Sequence, residues 1–187
     1  MSDFIKYINS ISQLDIDASN DLLKELKTKT FNKNAFILKP GEVCRYFYYL
    51  EQGLTKSFSY NNDKEFIMAF YQENMMFTEL SSYLAQRPSK YMLLALEKTT
   101  VSYIHKDVIE KLCNSHHSIE KAVRKLFTIT SACFMERISV MLEENAKERY
   151  NNFINDYPSL VQRISLGDMA NYIGITQVSL SRIRAAK

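Results

Sequence analysis

Residues 164–184 constrain the fold most strongly, because they carry the signals of two short helices joined by a tight turn. Ser165 and Asp168 match the capping box [ST]-x-x-[DE], which marks the start of a first helix. Gly174 follows the last apolar residue of the helical repeat, where a left-handed C-cap favours a residue without Cβ. Thr176 is a suitable N-cap for the second helix. The pattern predicts a helix-turn-helix.

The second of these helices has one apolar face and one polar face. Leu180 and Ile183 point inward at helical spacing. The outward-facing residues are Gln177, Val178, Ser181 and Arg182. This outward face is small, polar and basic, which fits a DNA major groove and can donate hydrogen bonds to base edges. An ordinary helical hairpin is the alternative interpretation.

Local charge favours the DNA-reading interpretation of this hairpin. From residue 163 to the terminus the basic residues are Arg163, Arg182, Arg184 and Lys187, and the acidic residue is Asp168. The net charge of the whole chain is only +3, so nucleic-acid binding must come from a local patch rather than a uniformly basic surface.

The composition is that of a folded intracellular protein. Of the 187 residues, 46% are hydrophobic and 24% are charged, which suits one or two small globular domains. The scattered cysteines, Cys44, Cys113 and Cys133, lack framework spacing and indicate a reducing compartment. We find neither a signal peptide nor an apolar run of about 18 residues, so the sequence predicts a cytoplasmic protein without a membrane partner.

The middle of the chain alternates short aromatic and branched runs with turn signals. The runs lie at residues 31, 36–38, 47–50, 54–60, 66–71 and 92–96. Pro40-Gly41 and Gln52-Gly53 are typical of the turns between them. Strands spaced in this way predict an antiparallel sandwich or barrel over roughly residues 30–104, interrupted by a short helix near 80–85 and preceded by two helices.

After the strands the pattern is helical. It predicts a brief helix at residues 107–113, a loop at 114–118, and a long helix capped by Ser118 that runs to about Lys147. The apolar stripe of this long helix includes Val123, Leu126, Phe127, Thr130, Phe134, Ile138 and Met141. Part of so broad a stripe covers the barrel, and the remainder is most simply covered by the same helix of a second subunit.

A strand-rich barrel, a long helix and a terminal helix-turn-helix, in this order, resemble the Crp/Fnr family of bacterial transcription regulators over nearly the whole chain. The most specific match is residues 173–183, which resemble the family's DNA-reading signature. Weaker matches are Pro40-Gly41-Glu42, residues 48–53, and Glu79 at the head of the phosphate-binding cassette.

The resemblance implies an α+β fold in three parts. Residues 1–117 would be a sensor domain with N-terminal helices and a cyclic-nucleotide-binding-like antiparallel β-barrel. Residues 118–147 would be a dimerisation helix, and 148–187 a helix-turn-helix DNA-binding domain. Most members continue into a β-hairpin wing after the recognition helix, whereas this sequence stops at Lys187, so we expect a helix-turn-helix without a full wing and a lower affinity.

The resemblance also implies a homodimer that reads a palindromic duplex DNA site, with RNA polymerase as a further candidate partner. Arg182 matches the family arginine that contacts bases and backbone, and its guanidinium fork can bind guanine O6 and N7. Gln177 and Val178 stand where cyclic-AMP-responsive members have arginine and glutamate, which predicts a different half-site. The predicted DNA-binding residues are Thr176, Gln177, Val178, Ser179, Ser181, Arg182 and Arg184.

The predicted effector pocket departs from the pattern of members that bind cyclic AMP. Those members have a glycine before the glutamate and an arginine about ten residues later, where this chain has Thr78 and Ser89. Lys90 is a candidate substitute, although neighbouring strand residues face opposite sides. Phe134 stands where the family's adenine-reading pair begins. Because a buried phosphate without a fixed cation is costly, we expect that cyclic AMP does not bind and that local amides satisfy Glu79.

Other functional classes lack their residue patterns. The cysteines do not cluster as an iron–sulfur site requires, and His116 and His117 diverge on any regular element. A metal-dependent barrel enzyme is disfavoured because all three histidines follow the predicted strands, and no phosphate-binding or nucleophile motif occurs. We predict no enzymatic activity, metal or cofactor, and the sequence names no effector. The alternative is a ligand-sensing module that acts through a protein partner.

Overall fold

The computed structural model describes residues 2–185, which form nine α-helices and eight β-strands. The helices are α1 (Asp3–Ile11), α2 (Ile16–Glu25), α3 (Leu80–Ala85), α4 (Lys106–Ser115), α5 (His117–Glu143), α6 (Ala146–Asp156), α7 (Pro158–Val161), α8 (Leu166–Ile173) and α9 (Gln177–Ala185). The strands are β1 (Lys27–Phe31), β2 (Phe36–Leu38), β3 (Tyr46–Gln52), β4 (Thr55–Asn61), β5 (Lys64–Tyr71), β6 (Met76–Phe77), β7 (Met92–Ala95) and β8 (Thr99–His105). None of the helices in this range combines the length and apolarity that crossing a membrane requires.

The strands form two four-stranded sheets, ordered β1-β8-β3-β6 and β2-β7-β4-β5. In the first sheet, β8 pairs antiparallel with β1 on one side and with β3 on the other, so that Tyr103 lies between Lys27 and Tyr48. The predicted antiparallel β-architecture and α+β class are confirmed. The two sheets are not closed into one, so "barrel" describes them only loosely.

Strand β3 is apolar without alternation because both of its faces are covered. Tyr49 packs edge-on against Phe4 of α1, with the ring centroids 5.4 Å apart. Tyr48, on the opposite face, stacks on Phe77 of β6 at 5.2 Å. Burial on both faces explains why apolar residues follow one another in β3 instead of alternating with polar ones.

The chain divides into two compact units. Unit 1 joins the residues up to Ser57 with Phe70–Thr130, and contains the N-terminal helices and the first sheet. Unit 2 joins Phe58–Ala69 with the residues from Ser131 onward, and contains the C-terminal helices. Lys187, counted above with the basic C-terminal residues, lies outside the described range.

Two predicted helix boundaries are wrong. The predicted loop at residues 114–118 is a single residue, His116, between α4 and α5, and its ring Nε2 lies 3.1 Å from Asp21 Oδ2. Ser118 lies inside α5, and its hydroxyl accepts a hydrogen bond from the Asp15 amide at 3.4 Å instead of capping its own helix. Helix α5 ends at Glu143, short of Lys147, because Asn145 starts α6 with a capping box.

Candidate nucleic-acid interface and effector pocket

Helix α8 begins as the sequence predicts, with Ser165 as its N-cap. The Asp168 amide donates to Ser165 Oγ at 2.9 Å. The Asp168 carboxylate, however, accepts from the Ser165 hydroxyl at 2.7 Å rather than from the Ser165 amide. The predicted capping box therefore forms only in part, because aspartate is one methylene shorter than the glutamate that completes such a box.

The turn between α8 and α9 depends on Gly174. Its φ of +76° places it in the left-handed region, and the Ile175 amide donates back to the Ala170 carbonyl at 3.0 Å. Thr176 then caps α9 by accepting from the Ser179 amide at 3.1 Å. The hydroxyls of these two residues also lie 2.9 Å apart, so both of these predicted DNA-binding residues belong to the N-terminal cap of α9.

Helix α9 presents the predicted face to solvent. Leu180 is 1% exposed and anchors the helix, whereas Val178 is 62% exposed. The other outward residues, Gln177, Ser181, Arg182 and Arg184, are exposed as well. Arg182 makes no hydrogen bond or ion pair with residues 2–185, so its guanidinium is available to a partner.

The side chain of Gln177 lies against the first helix of the pair. A Cβ placed on Gly167 would lie 2.7 Å from Gln177 Nε2, so a larger residue at position 167 would displace the end of the Gln177 side chain. This contact brings the start of α9 close to the start of α8. To reach a base edge, the Gln177 amide must rotate away from Gly167.

Two arginines hold the C-terminal end of α8, and sequence reasoning missed both. Arg149 Nε of α6 donates to the Ile173 carbonyl at 2.8 Å, and the Arg137 guanidinium of α5 donates to the Tyr172 carbonyl. Arg137 also lies over the Tyr172 ring, 3.9 Å from its centroid. The last carbonyls of a helix lack intrahelical partners, so these cations satisfy them and fix α8 to α5 and α6. Both arginines read as ordinary surface positions in the sequence.

The exposure of α5 changes along its length. Ile119 and Leu126 are buried at 2% and 8%, and Val123, Phe127 and Thr130 are half-buried. Beyond residue 130 the stripe reaches solvent, with Phe134 at 38%, Ile138 at 52% and Met141 at 39% exposed. The first half of the predicted dimer helix therefore packs within unit 1, and the second half leaves an apolar face uncovered in the single chain.

The cassette glutamate is satisfied by its own helix. Glu79 caps α3, and its carboxylate accepts from the amides of Ser81 and Ser82 at 3.2 and 2.8 Å. The amides at a helix N-terminus are where an anion would bind, and a buried carboxylate already occupies them. Thr78 Oγ1 donates to the Tyr46 carbonyl at 2.9 Å, so it too is engaged within the fold.

Neither predicted residue in the second half of the cassette, Ser89 or Lys90, supplies a fixed cation. Ser89 is buried, accepts from the Tyr91 amide at 2.9 Å and donates to the Tyr91 carbonyl at 3.0 Å. The Lys90 ammonium lies over the Tyr91 ring, 5.0 Å from its centroid, and Lys90 is exposed. The four predicted residues in unit 1 thus make local contacts, and Phe134 belongs to unit 2.

The histidines at the two ends of α4, His105 and His116, contact other residues of the fold. His105 caps α4 by accepting from the Asp107 amide at 3.2 Å, and the ring of His116 contacts Asp21. No group of three or more His, Cys, Asp or Glu side chains within residues 2–185 could hold a metal ion.

Comparisons with known proteins find a domain model that matches the middle of the chain and relatives that span most of it. Residues 28–116 match the model of the cyclic nucleotide-binding domain. The "Anaerobic regulatory protein" of Haemophilus influenzae is 22% identical over 186 residues, covering 93% of this chain and 71% of that protein. The homologue of the same name from Aggregatibacter actinomycetemcomitans is 23% identical, with the same coverage.

Solved structures match the same architecture. FixK2 from Bradyrhizobium japonicum superposes with a TM-score of 0.73 at 19% identity, over 86% of this chain and 83% of that one. A CooA variant from Carboxydothermus hydrogenoformans gives a TM-score of 0.70 at 16% identity, over 93% of this chain and 85% of that one. Because both identities are below 25%, these matches show a similar fold only.

Proposed function

We propose that this chain, a member of the Crp/Fnr family, is a homodimeric transcription regulator that reads a palindromic DNA site with α9. Members of this family are regulators and not enzymes. The observation that carries the proposal is the outward face of α9, where Gln177, Val178 and Arg182 are exposed while Leu180 anchors the helix from behind. This is the arrangement that a recognition helix needs in a major groove.

Each side chain on this face suits a different DNA group. Arg182, which has no partner elsewhere in residues 2–185, would bind guanine O6 and N7 with its two-pronged guanidinium. Val178 would contact a thymine methyl, and Gln177 would pair with adenine after leaving Gly167. Thr176 and Ser179, at the N-terminus of α9, would contact a phosphate, which sets the position of the helix without reading sequence.

The exposed half of α5 would form the dimer. Phe134, Ile138 and Met141 recur at helical spacing on one face, and each is more than a third exposed in the single chain. Pairing this face with the same face of a second copy would remove it from water and bring two recognition helices to one palindrome. The three functional parts would be residues 1–117, 118–147 and 148–187.

The sensor part would not respond to cyclic AMP. Glu79 already fills the helix N-terminus that a phosphate would use, and neither Ser89 nor Lys90 offers a fixed positive charge to the cassette. As a regulator of bacterial genes, the dimer would act in the cytoplasm and contact RNA polymerase. Calorimetry with cyclic AMP tests the sensor statement, and binding at micromolar concentration would contradict it.

The experiment that tests DNA binding is a mobility-shift titration across a salt series. The probes are the DNA upstream of the protein's own gene and a pool of random duplexes. A specific complex that weakens steeply with salt is the expected result, because phosphate contacts release counterions. No shift at any protein concentration, or a shift without sequence preference after selection from the pool, would contradict the proposal.

A further inference from the structure

A cleft of about 170 Å³ lies in unit 1, apart from the cassette residues. Its lining residues are Lys29, Phe31, Ile37, Tyr46, Tyr48 and Tyr103. The register explains why they meet: Tyr48 pairs with Tyr103 across β3 and β8, and Lys29 and Phe31 point to the same side of β1. None of Thr78, Glu79, Ser89 and Lys90 lines this cleft.

The cleft contains hydrogen-bond donors that nothing in the described chain uses. Tyr48 is only 6% exposed, yet its hydroxyl makes no hydrogen bond with any residue from 2 to 185. The same holds within this range for the hydroxyls of Tyr46 and Tyr103. Because these three tyrosines line the cleft, their hydroxyls can donate to a molecule that occupies it. Burial raises the pKa of Tyr48, so its hydroxyl remains a protonated donor at neutral pH.

The rim of the cleft is positively charged. The Lys29 ammonium lies 4.8 Å from the centroid of the Phe31 ring, and no carboxylate of the described residues comes within ion-pair distance of it. No aspartate or glutamate lines the cleft. Unused donors and an unpaired cation favour an anionic, hydrogen-bond-accepting occupant.

The size and walls of the cleft favour a single aromatic ring. A protein cavity of about 150 Å³ suffices to bind benzene, and this one is slightly larger. Tyr46 and Tyr103 stand edge-to-face with their centroids 5.2 Å apart, and Tyr46 and Tyr48 are tilted at 6.2 Å. Rings so arranged offer both faces and edges to a planar ligand.

We propose that this cleft binds a small aromatic carboxylate. The ligand's ring lies among the tyrosine rings, and its carboxylate accepts from the Tyr48 hydroxyl and faces the Lys29 ammonium. The site is separate from the cassette and from α9. Its occupancy is therefore measured without DNA, and its failure is distinguishable from a failure of DNA binding.

Titration calorimetry of benzoate into the full chain tests the proposal, with benzyl alcohol as the uncharged counterpart and cyclic AMP as the comparison. We expect saturable binding of benzoate at one site per chain and binding of benzyl alcohol at least about tenfold weaker. Cyclic AMP, which is larger than the cleft, is expected not to compete with benzoate. No saturation at millimolar benzoate, or equal binding of benzyl alcohol, would overturn the proposal.

Two variants locate the bound benzoate. Tyr48→Phe removes only the hydroxyl and is expected to weaken benzoate binding about tenfold. Lys29→Ala is expected to weaken it about threefold, in a salt-dependent way, because Lys29 is exposed. The matched controls are Tyr60→Phe, at a tyrosine that is 60% exposed elsewhere, and Lys33→Ala, at an exposed lysine outside the cleft.

The control variants are expected to bind benzoate like the original chain. If neither cleft variant changes the affinity, or if the controls change it as much, benzoate binds elsewhere and the proposal is wrong. Thermal melting identifies a Tyr48→Phe chain that does not fold, and in that case the surface variant Lys29→Ala decides alone.

Discussion

Replacing Arg182 with alanine separates reading of DNA from folding of the protein. Arg182 is exposed and makes no hydrogen bond or ion pair with the described residues, so the variant's thermal midpoint should stay unchanged. A bidentate arginine–guanine contact discriminates by about 1–3 kcal/mol. A dimer on a palindrome uses two copies, so the specific complex should lose about 2–6 kcal/mol, or roughly 30-fold to 10⁴-fold in affinity.

The assay is fluorescence anisotropy with two duplexes, a site selected from random DNA and a scrambled version of it. The ratio of the two affinities should fall for Arg182→Ala, since the scrambled duplex offers no matched guanine. Arg184→Ala is the matched control. Arg184 is also exposed, but two residues along a helix rotate the side chain by about 200°, to the other side of α9.

Arg184 is expected to contact phosphate rather than a base edge. Its removal should weaken both duplexes alike and should reduce the salt dependence of log K by about 1.8, which is two phosphates at roughly 0.9 each. An Arg182→Ala protein that keeps the original affinity ratio would refute the assignment of Arg182 as a base-reading residue. The selected site would then be read by other side chains.

Gly174→Ala should destabilise unit 2 by about 1–2 kcal/mol, because the φ of +76° strains any L-residue. The new Cβ would also lie 2.8 Å from Met141 Cε. A thermal midpoint equal to that of the original chain would contradict this expectation. Ile138→Asp should convert the dimer to a monomer in light scattering at micromolar concentration with little change in melting, since the side chain is 52% exposed in the single chain. The hydrogen bond from Lys24 is the main cause that holds the pKa of the Asp21 carboxyl below its ordinary value of 3.8. The charged carboxylate therefore stabilises the folded chain above about pH 4, and this contribution to folding stability is lost as the pH falls through the lowered pKa. The melting temperature of Asp21→Asn should accordingly fall less steeply on acidification than that of the original chain.

The helix-turn-helix and α3 were predictable because their signals are local. Ser165, Gly174 and Thr176 act within one helical turn of the backbone groups that they satisfy, so their types alone indicate the two helices. Helix α3 is found at Leu80–Ala85, where the sequence predicts it. The antiparallel strands were predictable in kind, because short branched and aromatic runs between turn residues have few other uses.

The remaining features depend on residues that are distant in sequence. The hydroxyl of Ser118 accepts a hydrogen bond from the Asp15 amide, which lies far away in the sequence. A sequence pattern that assigns a serine before a helix as its N-cap cannot predict this contact. The sequence does not show which of its tyrosines share a cleft. Only the pairing of β3 with β8 and the approach of β1 and β2 place Tyr46, Tyr48 and Tyr103 around an open cleft.

The arginine contacts of α8 suggest how the dimer would set the spacing of the recognition helices. Arg137 belongs to the same half of α5 as Ile138, which we assign to the dimer interface, and its guanidinium holds the Tyr172 carbonyl at the end of α8. Arg149 holds the next carbonyl, that of Ile173, immediately before the Gly174 turn into α9. A rotation of one α5 against its partner would therefore be transmitted to the end of α8, and so to α9, through the charged hydrogen bond of Arg137, while Arg149 holds the same end of α8 to α6. Because successive major grooves lie about 34 Å apart, even a small change in that rotation would move α9 out of register with its half-site.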